Sequence, residues 1–197
     1  MTPAAEGRDA GAEPGRRGPA GRERDRDAAG RPKNARPRDG LGRPLARGAA
    51  GEPVMPDNLS LEPGEAVPLA QRLIDEGRPF HAHEVLEAVW KSGPDDQRDL
   101  WQGLAQIAVG LTHARRGNSH GAVSLLRRGS AAVDGYRARA ASRPADEPPS
   151  AVPAGLDAAA AARAAAELAD RIDAVGLAPL ADGDLRLPMT RRPRRSG

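Results

Sequence analysis

Imidazole, carboxylate and indole side chains alternate with apolar ones in Phe80-His81-Ala82-His83-Glu84-Val85-Leu86-Glu87-Ala88-Val89-Trp90. Advancing about 100° per residue, as an α-helix does, Phe80, His83, Glu84, Glu87 and Trp90 fall on one side. Ala82, Val85, Leu86 and Val89 fall on the other. A helix apolar on one face and carrying such a stripe on the other is usually sandwiched, which predicts a half-buried polar groove. A second stripe follows, with Gln102, Gln106, Val109 and His113 recurring at helical spacing opposite Leu100, Leu104, Ile107 and Leu111. Gly103 and Gly110 lie between these two faces. Their missing side chains predict close approach of a neighbouring helix, bringing the Gln and His stripe to face His83 and Glu87.

Three kinds of chemistry suit this set. In the first, His83, Glu87 and His113 are nitrogen and oxygen ligands of a divalent metal, Glu84 is a general base, and Gln102 and Gln106 orient substrate. In the second, the same groove, with Trp90 on its wall, takes a small polar ligand or carries out acid–base chemistry. The third is a hydrogen-bonded network without further function, in which Glu87 fixes His83, because buried polar groups need partners whether or not they work. Protease chemistry is not supported, since Glu87 stands where a zinc-protease helix places its second His. The chain has no Glu-x-x-His pair for a di-iron bundle. His81 points away from His83, His120 is a solvent-facing first-turn residue, and the two Trp residues serve most simply as core anchors.

Five helical segments are predicted to position these residues. They run over about 66–76, 79–91, 95–116 and 119–141, with a fifth, Ala-rich segment following Asp157. Pro68 fits only a first turn and Gly77 is a stop, while Pro79 opens the second segment and Gly93-Pro94 closes it. Asn118 and Asp157 are N-caps, and Arg115-Arg116-Gly117 ends the third segment in keeping with the helix dipole. No β-branched alternating run competes, so the expected fold is all-α: a compact antiparallel bundle of about five helices with disordered tails. The ordered domain is placed at 64–178, between an Arg/Gly/Pro-rich tail (1–63) and a basic tail (179–197), both too poor in apolar residues to order. So small and Ala-rich a core suggests a homodimer.

The net charge of +3 and the high pI point to nucleic acid until the charge is divided along the chain. Residues 1–52 hold 12 basic and 8 acidic side chains and 186–197 hold 5 and none, which leaves the middle acidic. Basic tails without aromatic stacking platforms argue against nucleic-acid binding. The absence of cysteine and of any apolar run long enough for a membrane span or secretory signal suggests a cytoplasmic protein.

The first block, then Trp101-Gln102-Gly103-Leu104-Ala105-Gln106-Ile107-Ala108-Val109-Gly110, then His113, Gly117-Asn118 and Gly121-Ala122, resemble the bacterial and archaeal family called domain of unknown function 309. The likeness covers about Leu69 to Tyr136. It rests on a His-Glu-x-x-Glu-x-x-Trp signature at His83, Glu84, Glu87 and Trp90 and on the Gln-Gly block at Gln102, Gly103 and Gln106. It implies a compact all-helical domain and brings no activity with it. The Arg-Pro-rich segment from Asp25 to Leu45 is similar to an N-terminal extension of some members. The functional expectation is a groove lined by His83, Glu84, Glu87, Trp90, Gln102, Gln106 and His113 that binds a metal or small polar ligand. The alternative is a non-catalytic interaction module, since Gly117-Asn118, Gly121-Ala122 and Leu125-Leu126 follow the rhythm of a tetratricopeptide-type helix pair.

Overall fold

The computed structural model of the chain describes residues 37–46, 48–52, 61–144, 146, 152–153 and 155–191. Five α-helices carry the fold: α1 (Pro63–Asp75), α2 (Pro79–Ser92), α3 (Arg98–Arg115), α4 (Ser119–Ala141) and α5 (Ala158–Val175). Short 3-10 turns at Asp95–Gln97 and Asp182–Leu185 flank α3 and follow α5. Each helix packs on its neighbours in sequence, and the interface of α3 with α4 is the most extensive.

The helix ends follow the local chemistry. Gly77 and Gly117 adopt φ of 77° and 78°, the left-handed region that glycine reaches without strain. The Gly77 and Arg78 N–H groups donate to the Ile74 and Leu73 carbonyls, and the Gly117 and Asn118 N–H groups repeat the pattern on Ala114 and His113. Asn118 then accepts from Gly121 N at 2.9 Å and Asp157 accepts from Ala160 N at 2.9 Å, so both predicted caps are made. The start of α1 differs from expectation, since it begins at Pro63 and holds Pro68 inside the helix. Both Pro68 and Gly64, whose carbonyl loses its partner there, are exposed, so the missing bond falls on the solvent side of the helix.

The close approach expected at Gly103 and Gly110 occurs, with α4 as the neighbour. A Cβ on Gly103 would lie 2.9 Å from the Gly129 carbonyl oxygen, and one on Gly110 would lie 2.8 Å from Leu126 Cγ. Glycine on both helices is what brings α3 and α4 together, so the expectation that these glycines turn the Gln and His stripe toward His83 is corrected.

The ordered region also extends beyond the expected boundary at 178. Leu185, Leu187 and Met189 alternate along an extended stretch and are buried in the core. The Gln71 side chain of α1 clamps this stretch: its oxygen accepts from Met189 N at 2.5 Å and Thr190 N at 3.2 Å, and its amide donates to the Leu187 carbonyl at 3.2 Å. Leu156 and Thr190 add an antiparallel bridge. At the other end, Arg38 bridges to Pro44 and Glu52 within 37–52, part of the tail expected to be disordered. The rest of 1–63 up to residue 60, and 192–197, lie outside the described residues.

Two substitutions test this packing. Gly129→Ala, whose Cβ would meet the Gly103 carbonyl at 2.6 Å, is expected to lower unfolding free energy by about 1–3 kcal/mol in urea titration. Gln71→Ala strands three backbone groups and is expected to cost about 1–3 kcal/mol; an unchanged midpoint would show that the 185–190 stretch adds nothing to stability.

Candidate functional site

Every residue of the two expected stripes is half-buried: Phe80, His83, Glu84, Glu87 and Trp90 on α2, and Gln102, Gln106, Val109 and His113 on α3. Ala82, Val85, Leu86 and Val89 are buried behind the first stripe, as are Leu100, Leu104, Ile107 and Leu111 behind the second. The two helices pack against each other. His81 and Trp101 are core residues, and the Trp101 indole donates to the Gln97 side chain at 2.9 Å. His120 is exposed.

The proposed metal ligands are placed differently. His83 Nε2 lies 3.5 Å from one Glu87 oxygen, and Lys91 Nζ lies 2.9 Å from the other. His113 is at the last turn of α3, with its Nδ1 2.8 Å from the Asn118 amide nitrogen. That nitrogen can only donate, because the Asn118 oxygen already caps Gly121, so His113 Nδ1 accepts and its proton sits on Nε2. Among the described residues no group of three or more His, Asp or Glu side chains is placed to hold a metal ion. The helix cap of α4 claims the third ligand that spacing alone had assigned.

Burial lowers the His83 pKa from its ordinary 6.5, with Glu87 opposing and Lys91 adding to the shift. A neutral imidazole directing Nε2–H toward Glu87 leaves Nδ1 as a bare acceptor. That atom is buried and makes no hydrogen bond within the protein. Trp90 Nε1, a donor, and Gln106 Oε1, an acceptor, are buried and unpaired in the same way. The stripe therefore holds two unmet acceptors and one unmet donor.

Sequence reading missed three cations at the site. Lys91 was legible as the i+4 partner of Glu87. Arg98 lies over the Trp90 ring at 5.7 Å, and Arg38 over the Phe80 ring at 5.4 Å, with the Phe80 and His83 rings 6.1 Å apart. Arg38 comes from a stretch without helical or strand period, and no local signal links it to Phe80.

Residues 68–125 match the family model described as "Domain of unknown function (DUF309)", as the resemblance implied. That span contains all seven candidate residues. The chain is also 46% identical over 48 residues, 24% of its length, to "Uncharacterized protein YpuF" of Bacillus subtilis (strain 168). The match spans 28% of that relative. No solved structure matches the chain. Among the described residues no helix is long and apolar enough to cross a membrane.

The lowered His83 and His113 pKa values set the pH response. Unfolding restores the ordinary affinity for protons, so the unfolded chain binds more of them below about pH 6.5 and stability falls as pH drops through that region. Urea midpoints are expected to be level above pH 7 and to decline toward pH 5. His83→Gln is expected to flatten part of the decline, and an equally steep profile in the variant would refute the assignment.

Proposed function

We propose that the α2/α3 stripe of this DUF309-like region binds a small polar ligand through His83, Glu84, Glu87, Trp90, Gln102 and Gln106. The observation that carries the reading is the trio of buried, unpaired polar atoms at His83 Nδ1, Trp90 Nε1 and Gln106 Oε1. Leaving such atoms unpaired costs about 1–3 kcal/mol each, and a ligand offering donors to the two acceptors and an acceptor to the indole recovers that cost. Proton transfer, if the bound ligand undergoes it, is assigned to Glu84 as the general base, with Glu87 placed between His83 and Lys91. A divalent metal has His83 and Glu87 as protein ligands here, with His113 turned to Asn118. The polar ligand is therefore the better reading.

An interaction module is the second reading. It draws support from the like backbone bonds that close the turns at Gly77 and Gly117, between α1 and α2 and between α3 and α4. A homodimer has less in its favour: among the described residues Val152 and Val175 are the exposed large hydrophobic side chains.

The Trp90 indole N–H gives a direct readout. Small amides and ureas screened by proton–nitrogen NMR are expected to include binders that shift the Trp90 indole resonance while leaving that of Trp101, already bonded to Gln97, in place. Gln106→Ala is expected to weaken those binders about tenfold with the fold intact. A screen in which the Trp90 resonance never moves, or moves equally in Gln106→Ala, would overturn the proposal.

A further inference from the structure

A second cleft of about 430 Å³ opens between the start of α3 and the end of α4, its polar lining made by Asp95, Asp96, Arg98, Asp99, Tyr136, Arg139 and Arg143. Its size is in the range of small-molecule sites. Tyr136 is 4% exposed, yet its hydroxyl, buried on the cleft, makes no hydrogen bond within the protein. A buried phenol without a partner is an uncommon expense in a folded chain, where such hydroxyls find a hydrogen bond.

The charges around that hydroxyl are matched. Arg143 Nη1 lies 3.1 Å from Asp96 Oδ2, and Arg139 pairs with Asp99 across the same helix crossing. Burial, and then Asp96, raise the Tyr136 pKa while Arg143 lowers it, so the phenol keeps its proton at neutral pH and is available as a donor. A purely anionic ligand that drew both arginines would strip Asp96 and Asp99 of their partners. A purely cationic one would strand the arginines. A ligand with both charges inserts into the pairs and leaves neither side uncompensated.

We propose that this cleft binds a small zwitterion of the free amino-acid class, its carboxylate received by Arg143, Arg139 and the Tyr136 hydroxyl and its ammonium by the aspartates. The cleft shares Arg98 with the edge of the α2/α3 stripe, where that guanidinium lies over the Trp90 ring, but uses none of the stripe's unpaired atoms. Calorimetric titration and melting curves of the full chain with each common L-amino acid, its decarboxylated amine and its deaminated acid test it. At least one amino acid is expected to bind saturably and raise the melting temperature, its amine and acid at least about tenfold more weakly. Tyr136→Phe, which removes only the unpaired oxygen and keeps the ring in place, is expected to weaken binding about tenfold without lowering stability, and Gln106→Ala to leave it unchanged. The proposal is overturned if no amino acid binds, if the amine or the acid binds as well as its parent, or if Tyr136→Phe binds as the parent protein does.

Discussion

Gly103 and Gly129 meet across the α3–α4 crossing with carbonyl oxygens so close that no Cβ fits on either. Gly110 likewise leaves no room for a Cβ beside Leu126, about two helical turns further along. These contacts fix α3 against α4 at short range and decide what the remainder of α3 faces. Leu100, Leu104, Ile107 and Leu111 fill the core, and Trp101, Ala105, Ala108, Thr112 and Ala114 are buried as well. What stays half-buried beyond them over Gln102 to His113 is the row Gln102, Gln106, Val109 and His113. The polar stripe is thus the strip of α3 that packing against its neighbours leaves over.

The side chains of that strip are satisfied unequally. His113 is drawn into the capping of α4 by Asn118, and Glu87 is shared between His83 and Lys91. A self-sufficient network requires reciprocal partners, and His83 Nδ1, Trp90 Nε1 and Gln106 Oε1 have none. The structural reading of the constellation accounts for Glu87 and His113 and leaves those three atoms without an explanation. All three lie on the half-buried rows of adjoining helices, which is the ground of the binding proposal.

Periodicity and end signals made the helices legible, because caps such as Asn118 and Asp157 and stops such as Gly77 and Gly117 act within a few residues of themselves. The same periodicity identified which residues of α2 and α3 would be half-buried. It could not say which helix uses the glycines of α3, since a missing side chain marks a close approach without naming the partner. The fate of His113 was open for the same reason: its spacing suited a ligand set, while its proximity to Asn118 depends on how the chain turns at Gly117. The 185–190 stretch was illegible because three alternating apolar residues in an Arg- and Pro-bearing segment carry little signal until Gln71, more than a hundred positions away, supplies their backbone partners.

The described segments that flank the helices, 37–52 and 185–190, make physical sense as supplements to a core of small side chains. Helix α5 buries Ala161, Ala162, Ala165 and Ala169, which remove little apolar area from water compared with Leu or Phe. Leu185, Leu187 and Met189 add bulk that the helix lacks. On the N-terminal side, Arg116 donates to the Leu41 carbonyl, Glu52 pairs with Arg78 at 3.1 Å, and Gly42 lies against the Phe80 ring where a Cβ would overlap it. Phe80 thus has Gly42 against its ring, Arg38 over it at 5.4 Å and His83 beside it. The segment that packs on the start of α2 also sets a guanidinium over Phe80, the first residue of the candidate stripe, so this edge of the stripe depends on a contact between residues more than thirty positions apart.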